Sequence, residues 1–200
     1  MRKKDWPNFN NQLISKVVNV IKSGNINYTL GLQGAEFESK FSKFIGNKYS
    51  IAICNGTAAL EVAIKSLNFP KNSKIMVPAR SFFSSASCIV NTGHIPVFVD
   101  IDPVTQNISI KDLKKKISNN IKAIICVHLG GLPCDMKSIK NLVKKRNIKI
   151  IEDCSQAHGA SINNKQVGSL GDVATWSFCT DKIISTLGEG GMISTNKKKI

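Results

Sequence analysis

Between residues 49 and 152, short apolar runs alternate with segments of helical spacing, and this alternation narrows the possible folds more than any other feature. Residues 49–54, 74–77, 96–99, 122–127 and 148–152 read as strands, and 58–67, 82–91, 111–117 and 136–145 as the helices between them. Strands that are apolar along their whole length must be covered on both faces. A helix between successive strands gives a crossover long enough to keep them parallel. The expected architecture is therefore α/β, a mostly parallel sheet flanked by helices. Ahead of it, 11–22 reads as an amphipathic helix stopped near Gly24. A second helix, 34–45, sets Phe37, Phe41 and Phe44 at helical spacing and ends at Gly46. After residue 160 the pattern changes to two strands, 173–178 and 192–195, around a glycine-rich connection.

A hydrophobic share of 42% is enough for one good core, and no apolar run approaches the roughly 18 residues of a membrane span. The first ten residues, MRKKDWPNFN, are basic but are followed by no signal-peptide apolar stretch, so a cytosolic protein with no membrane partner is expected. The formal charge is +15, yet only three of the 28 basic residues are Arg, the residue that reads bases and grips phosphates in a bidentate fashion. A solvated basic surface, without nucleic acid as a partner, is the simpler reading, and such a field still favours an anionic small substrate. The six cysteines form no CxxC pair and read as reduced, mostly buried thiols. His94, His128 and His158 form no metal motif, so no metal site is expected.

Three stretches can carry chemistry. Asn55-Gly56-Thr57-Ala58-Ala59 joins a strand to a helix, and unpaired N–H groups at a helix start attract anions; capping alone would explain the same residues. In IKIIEDCSQAHG, residues 148–159, Glu152 and Asp153 end a strand, where ligands of open parallel sheets bind. Strand alternation sends the two carboxylates to opposite faces, so one of them enters a crevice. His158 reads as a packed, hydrogen-bonded residue. In WSFCTDKIISTLGEGGMIST, Lys182 precedes Gly188 by six residues in a stretch poor in charge. A lysine in an apolar pocket becomes a nucleophilic amine, and the glycines would let backbone pass close to a flat ligand. An anion-binding helix start, a strand-end acid and then a lysine is the order that pyridoxal 5'-phosphate (PLP) asks for: donors for its phosphate, an acid for its ring nitrogen and an amine for its aldehyde.

The stretches NYTLGLQGAEFESKFSKFIG, NGTAALEVAI, MVPARSFFSSASCIVNTGHIPVFVDIDP, AIICVHLGGLPCDM, IIEDCSQAHGA and VGSLGDVATWSFCTDKIISTLGEGGM, in this order, resemble the DegT/DnrJ/EryC1/StrS sugar aminotransferases. The resemblance implies a PLP-dependent transferase of fold type I. It makes Lys182 the Schiff-base lysine and Asp153 the partner of the pyridine nitrogen. Gln156 falls near the ring hydroxyl, Gly56, Thr57, Ala58 and Ser177 at the phosphate, and Phe82 where an aromatic stacks on the ring. The implied activity moves an amino group from L-glutamate to a nucleotide-linked keto sugar for surface polysaccharides, in a homodimer. Alternatives are a non-catalytic, PLP-binding regulatory member and a PLP-dependent sugar dehydratase, which carries histidine in place of the lysine. Arg80, beside the stacking position, is expected at the surface or in a salt bridge. The resemblance divides the chain into a helical segment, 1–26, and the large cofactor domain, 27–200. It also leaves that domain incomplete and the smaller C-terminal domain absent, so the chain is expected to be the N-terminal part of a longer protein.

Overall fold

The computed structural model describes residues 6–200; the stretch 1–5 lies outside it. Its helices are α1 (Asn11–Ser23), α2 (Gln33–Ile45), α3 (Gly56–Ser66), α4 (Ser84–Asn91), α5 (Ile110–Lys116) and α6 (Met136–Val143). Its strands are β1 (Tyr49–Ile53), β2 (Lys74–Pro78), β3 (Ile95–Val99), β4 (Ile121–Val127), β5 (Lys149–Asp153), β6 (Ser161–Ile162), β7 (Lys165–Gln166), β8 (Val173–Ser177) and β9 (Gly191–Thr195). Seven strands form one sheet in the order β1-β9-β8-β5-β4-β2-β3. The pairings β2–β3, β2–β4, β4–β5 and β5–β8 are parallel, whereas β9 runs antiparallel to both β8 and β1. The sheet is thus mostly parallel, as the apolar runs imply.

Alternation along each strand builds a core on either face. Ile75, Val77, Ile125 and Ile151 pack on one side with Ala63 and Ile64 of α3 and Ile89 of α4. Met76, Ile124, Cys126 and Ile150 pack on the other with Leu113 of α5 and Ile139 of α6. A third, aromatic cluster joins α2 to β8, with the Phe41 ring edge-on to both Trp176 and Phe178. The helical spacing of Phe37 and Phe41 is the reason α2 sits there; Phe44, the third of the series, stays partly exposed.

α1 forms as its pattern predicts, capped by Asn10 at its start and by Gly24 in the left-handed conformation at its end. It buries none of its residues, however, and leaves Leu13, Ile14, Val18 and Ile21 exposed. α4 starts two residues later than its spacing predicts, so Phe82 and Phe83 precede it. The β6–β7 hairpin has no apolar run and is not legible as strand. A two-residue turn makes it, Asn163 and Asn164 both taking positive φ (50° and 61°), a conformation that asparagine tolerates better than most residues.

Candidate active site

The parallel strands end on one side of the sheet, and there a cleft of about 540 Å³ opens. Gly56, Thr57, Phe82, Asp153, Gln156, Ser177 and Lys182 all line it. Of the residues expected at a cofactor, Ala58 alone does not: its N–H is donated to Asn55 Oδ1 at 2.8 Å, closing the α3 cap.

The start of α3 is held hard against the end of β8. A Cβ on Gly56 would lie 2.8 Å from Ser177 Cβ, so only glycine lets the Ser177 hydroxyl sit beside the first turn. The N–H groups of Gly56 and Thr57 belong to that turn and have no partner inside the helix. Thr57 Oγ1 and Ser84 Oγ are 2.6 Å apart. Gly191 makes a second close approach, where a Cβ would lie 2.4 Å from the Asn55 carbonyl oxygen. That glycine of the rich connection therefore serves backbone-to-backbone packing rather than the face of a flat ligand.

The two adjacent carboxylates part as alternation requires. Glu152 is fully buried away from the cleft. It accepts the N–H groups of Gly168 (2.9 Å), Leu170 (2.7 Å) and Gly171, and faces His128 Nε2 at 3.0 Å. His128 Nδ1 accepts the Cys134 N–H, which places the ring proton on Nε2 and aims it at Glu152. His128, Glu152 and Cys154 are close enough to suggest metal ligands, but the nitrogens of His128 and the oxygens of Glu152 are engaged by these protein bonds. Asp153, 5% exposed, faces the cleft instead. Its Oδ1 accepts the Ser155 hydroxyl (2.7 Å) and N–H (3.2 Å), and its Oδ2 accepts the Ser85 hydroxyl (2.9 Å). Gln156 Oε1 accepts the Gly130 N–H at 2.7 Å, and its amide NH₂ meets no acceptor among the described residues.

Lys182 departs from expectation in its surroundings. Its Nζ lies 2.7 Å from Asp181 Oδ2 in a cleft edged by hydroxyls and carboxylates, not in an apolar pocket. The ammonium beside it holds the Asp181 carboxyl below the usual carboxylate range. The Lys182 carbonyl accepts the Trp6 indole N–H at 3.1 Å, across 176 residues of sequence. Cys179 and Glu189 also line the cleft, and the bond from Sγ to Glu189 Oε1 (3.1 Å) pushes the thiol's pKa up. Phe82 is 71% exposed at the cleft, its ring free to cover a ligand. Arg80 is at the surface and bonds to Gln106 Oε1, not to an acid. His158 is packed against Trp176 and Phe178, as expected of a core histidine, and among the described residues the Ser177 backbone is the one hydrogen-bonding group near its ring, at a geometry too poor for a full hydrogen bond. Burial brings its pKa down to about 4.

The sequence pattern does not mark Ser81, Ser84, Ser85, Ser155 or Asp181 as residues of this cleft, yet all five line it. Ser81 lies outside α4, and its hydroxyl reaches Ser85 (2.7 Å) only through the turn that precedes the helix, a contact helical spacing does not announce. Nothing in the sequence pairs Trp6 with Lys182.

This donor set suits PLP: a helix start with two hydroxyls for a phosphate, a buried carboxylate for a ring nitrogen, an amide for a ring oxygen and an amine in the same cleft. Residues 7–200 match the DegT/DnrJ/EryC1/StrS aminotransferase family. The chain belongs to that family. It is 43% identical over 165 residues to a GDP-perosamine synthase of Escherichia coli O157:H7, a match covering 82% of this chain and 45% of that protein. An aminotransferase of Psychrobacter cryohalolentis superposes with a TM-score of 0.96 at 42% identity, covering 98% of this chain and 50% of the other. The E. coli GDP-4-keto-6-deoxy-D-mannose-3-dehydratase with bound hydrated PLP gives 0.90 at 30% identity, covering 97% and 52%. The fold is that of the fold type I PLP-dependent aminotransferases, and PLP is the cofactor that the family and these neighbours indicate. The chain spans about half the length of the relatives it matches.

Proposed function

We propose that this chain carries the cofactor site of a sugar aminotransferase that moves an amino group from L-glutamate to a nucleotide-linked keto sugar. The observation that carries the reading is the convergence of Lys182, Asp153, Gln156, Ser177 and the α3 start on one cleft. Bound PLP supplies an electron sink for charge developing at the α-carbon of an amino acid. The N–H groups of Gly56 and Thr57 and the hydroxyls of Thr57 and Ser177 hold its phosphate. Asp153 keeps a proton on its ring nitrogen, and the Gln156 NH₂ donates to its ring oxygen. Phe82 covers one face of the ring. Lys182 Nζ would be the amine that holds the cofactor's aldehyde. As a free amine, Lys182 Nζ would take the proton from the donor's α-carbon and give it up at the carbon that had carried the aldehyde, acting as base and then acid. Asp181 is placed to receive Lys182 Nζ while that amine is free.

The substrate class rests on relatives named for nucleotide-linked amino sugars, and the basic surface suits a diphosphate. A cytosolic homodimer that supplies amino sugars to surface polysaccharides completes the proposal, with 1–26 as an N-terminal helical segment and 27–200 as the large cofactor domain. The exposed apolar residues Leu13, Ile21, Leu30, Leu32, Phe82 and Phe83 favour coverage by another surface. Lysine at 182, where the dehydratases have histidine, tells against dehydration although a dehydratase is among the structural neighbours. The test is incubation of the full-length protein with PLP, L-glutamate and a panel of GDP-, dTDP- and UDP-linked keto sugars, read by mass spectrometry. The proposal expects 2-oxoglutarate and a sugar that has exchanged its carbonyl oxygen for an amine. A sugar that loses oxygen without gaining nitrogen, or no turnover by the full-length protein when it holds PLP, would overturn it.

A further inference from the structure

Asp153 is an acceptor with unequal oxygens. A carboxylate offers about two acceptor positions on each oxygen. Oδ1 has both filled, by the Ser155 hydroxyl and N–H. Oδ2 has one filled, by the Ser85 hydroxyl at 2.9 Å. An ionised carboxylate cannot donate, so the Ser85 proton points to Asp153. The oxygen of Ser85 is thereby left to accept from Ser81, whose Oγ is 2.7 Å away. The direction of the chain is fixed: Ser81 donates to Ser85, and Ser85 donates to Asp153. Ser85 is 1% exposed and sits in the first turn of α4, so its hydroxyl is anchored by a helix packed on the sheet rather than by a loop.

Resting on the PLP reading above, we infer that Asp153 Oδ2 is the oxygen that receives the cofactor's ring N–H, and that Ser85 is the positioning residue that keeps it turned to do so. Without the Ser85 hydroxyl, Oδ2 loses its one donor among the described residues, while Oδ1 stays tethered to Ser155. The carboxylate then pivots about Oδ1, and the ring nitrogen's proton is held less firmly.

The experiment reconstitutes wild type, S85A and S85T with ¹⁵N-labelled PLP and follows the ring-nitrogen chemical shift against pH, together with kcat and KM for L-glutamate. In S85A the shift moves toward that of neutral pyridine at lower pH than in wild type. kcat falls about tenfold or more, the scale of one lost hydrogen bond to a charged group, with KM little changed. S85T restores both. If S85A does not fold, S85C, which keeps the volume and replaces the hydroxyl with a weak donor, carries the same comparison. A nitrogen titration in S85A identical to wild type overturns the inference. So does S85T failing as badly as S85A, because the effect would then be packing. If wild type itself takes up no PLP, the functional reading fails first and this inference with it, a result told apart by the missing signal in every sample.

Discussion

Glu152 and Asp153 are neighbours in sequence and face opposite ways, so the same chemical change at each should have opposite consequences. Replacing Glu152 with Gln puts an NH₂ where Oε2 now accepts the Gly168 N–H and the His128 Nε2–H. The backbone N–H cannot turn away. His128 could accept only by moving its proton to Nδ1, where it would meet the Cys134 N–H. Two buried donors lose their acceptor, at about 1–3 kcal/mol each, or about 4 kcal/mol together. At about 2–4 °C per kcal/mol for a unit of this size, the melting temperature drops by about 8–16 °C. Asp153→Asn differs because two of its three donors are the hydroxyls of Ser85 and Ser155, which rotate to accept from an amide. Its melting temperature should stay within about 3 °C of wild type, while turnover falls by about 10²-fold or more as the ring nitrogen loses its ionic partner. Calorimetry and steady-state assays on the same preparations decide the matter. If E152Q melted like wild type, or D153N lost as much stability as E152Q, the division of roles between the two carboxylates would be wrong.

His158 should make the protein acid-sensitive. Burial lowers its folded-state pKa from 6.5 to about 4, so protonation favours the unfolded chain. The stability that its neutral ring contributes is complete above pH 6.5 and is withdrawn as pH falls toward 4. By about pH 4.5 the loss is about 2–3 kcal/mol, at about 1.36 kcal/mol per pH unit. His158→Phe should flatten the fall in denaturation midpoint between about pH 7 and 4.5 by that amount; an unchanged slope would remove His158 from the account. Gly56→Ala puts a Cβ 2.8 Å from Ser177 Cβ, which should cost about 1–3 kcal/mol as overpacking and weaken PLP binding by about tenfold or more. Fluorescence titration with PLP checks this, and an unchanged dissociation constant would free the α3–β8 contact from any part in the phosphate site.

The sheet was legible because burial on both faces leaves a direct mark: Ile75, Met76 and Val77 in β2, and Ala123, Ile124 and Ile125 in β4, can be apolar without a break only if helices cover both sides. The opposed faces of Glu152 and Asp153 followed from strand periodicity alone. Most partners of those carboxylates were not legible. Gly168, His128 and Ser85 come from segments 16, 24 and 68 residues away, and tertiary packing sets their approach. The polar surroundings of Lys182 were missed for a related reason. Asp181 is adjacent in sequence, but only the local backbone decides whether neighbouring side chains meet or diverge. The 163–164 turn escaped notice because two positive-φ asparagines need no apolar pattern around them.

The central claim is that Lys182, among 25 lysines, is the one that bonds to the cofactor. Borohydride reduction of the PLP-loaded protein, followed by proteolysis and peptide mass mapping, tests it directly. The account predicts a pyridoxyl group on the peptide containing Lys182 and on no other, and none in Lys182→Ala. A reduced adduct on a different lysine, or an unmodified Lys182 in protein that holds PLP, would contradict it.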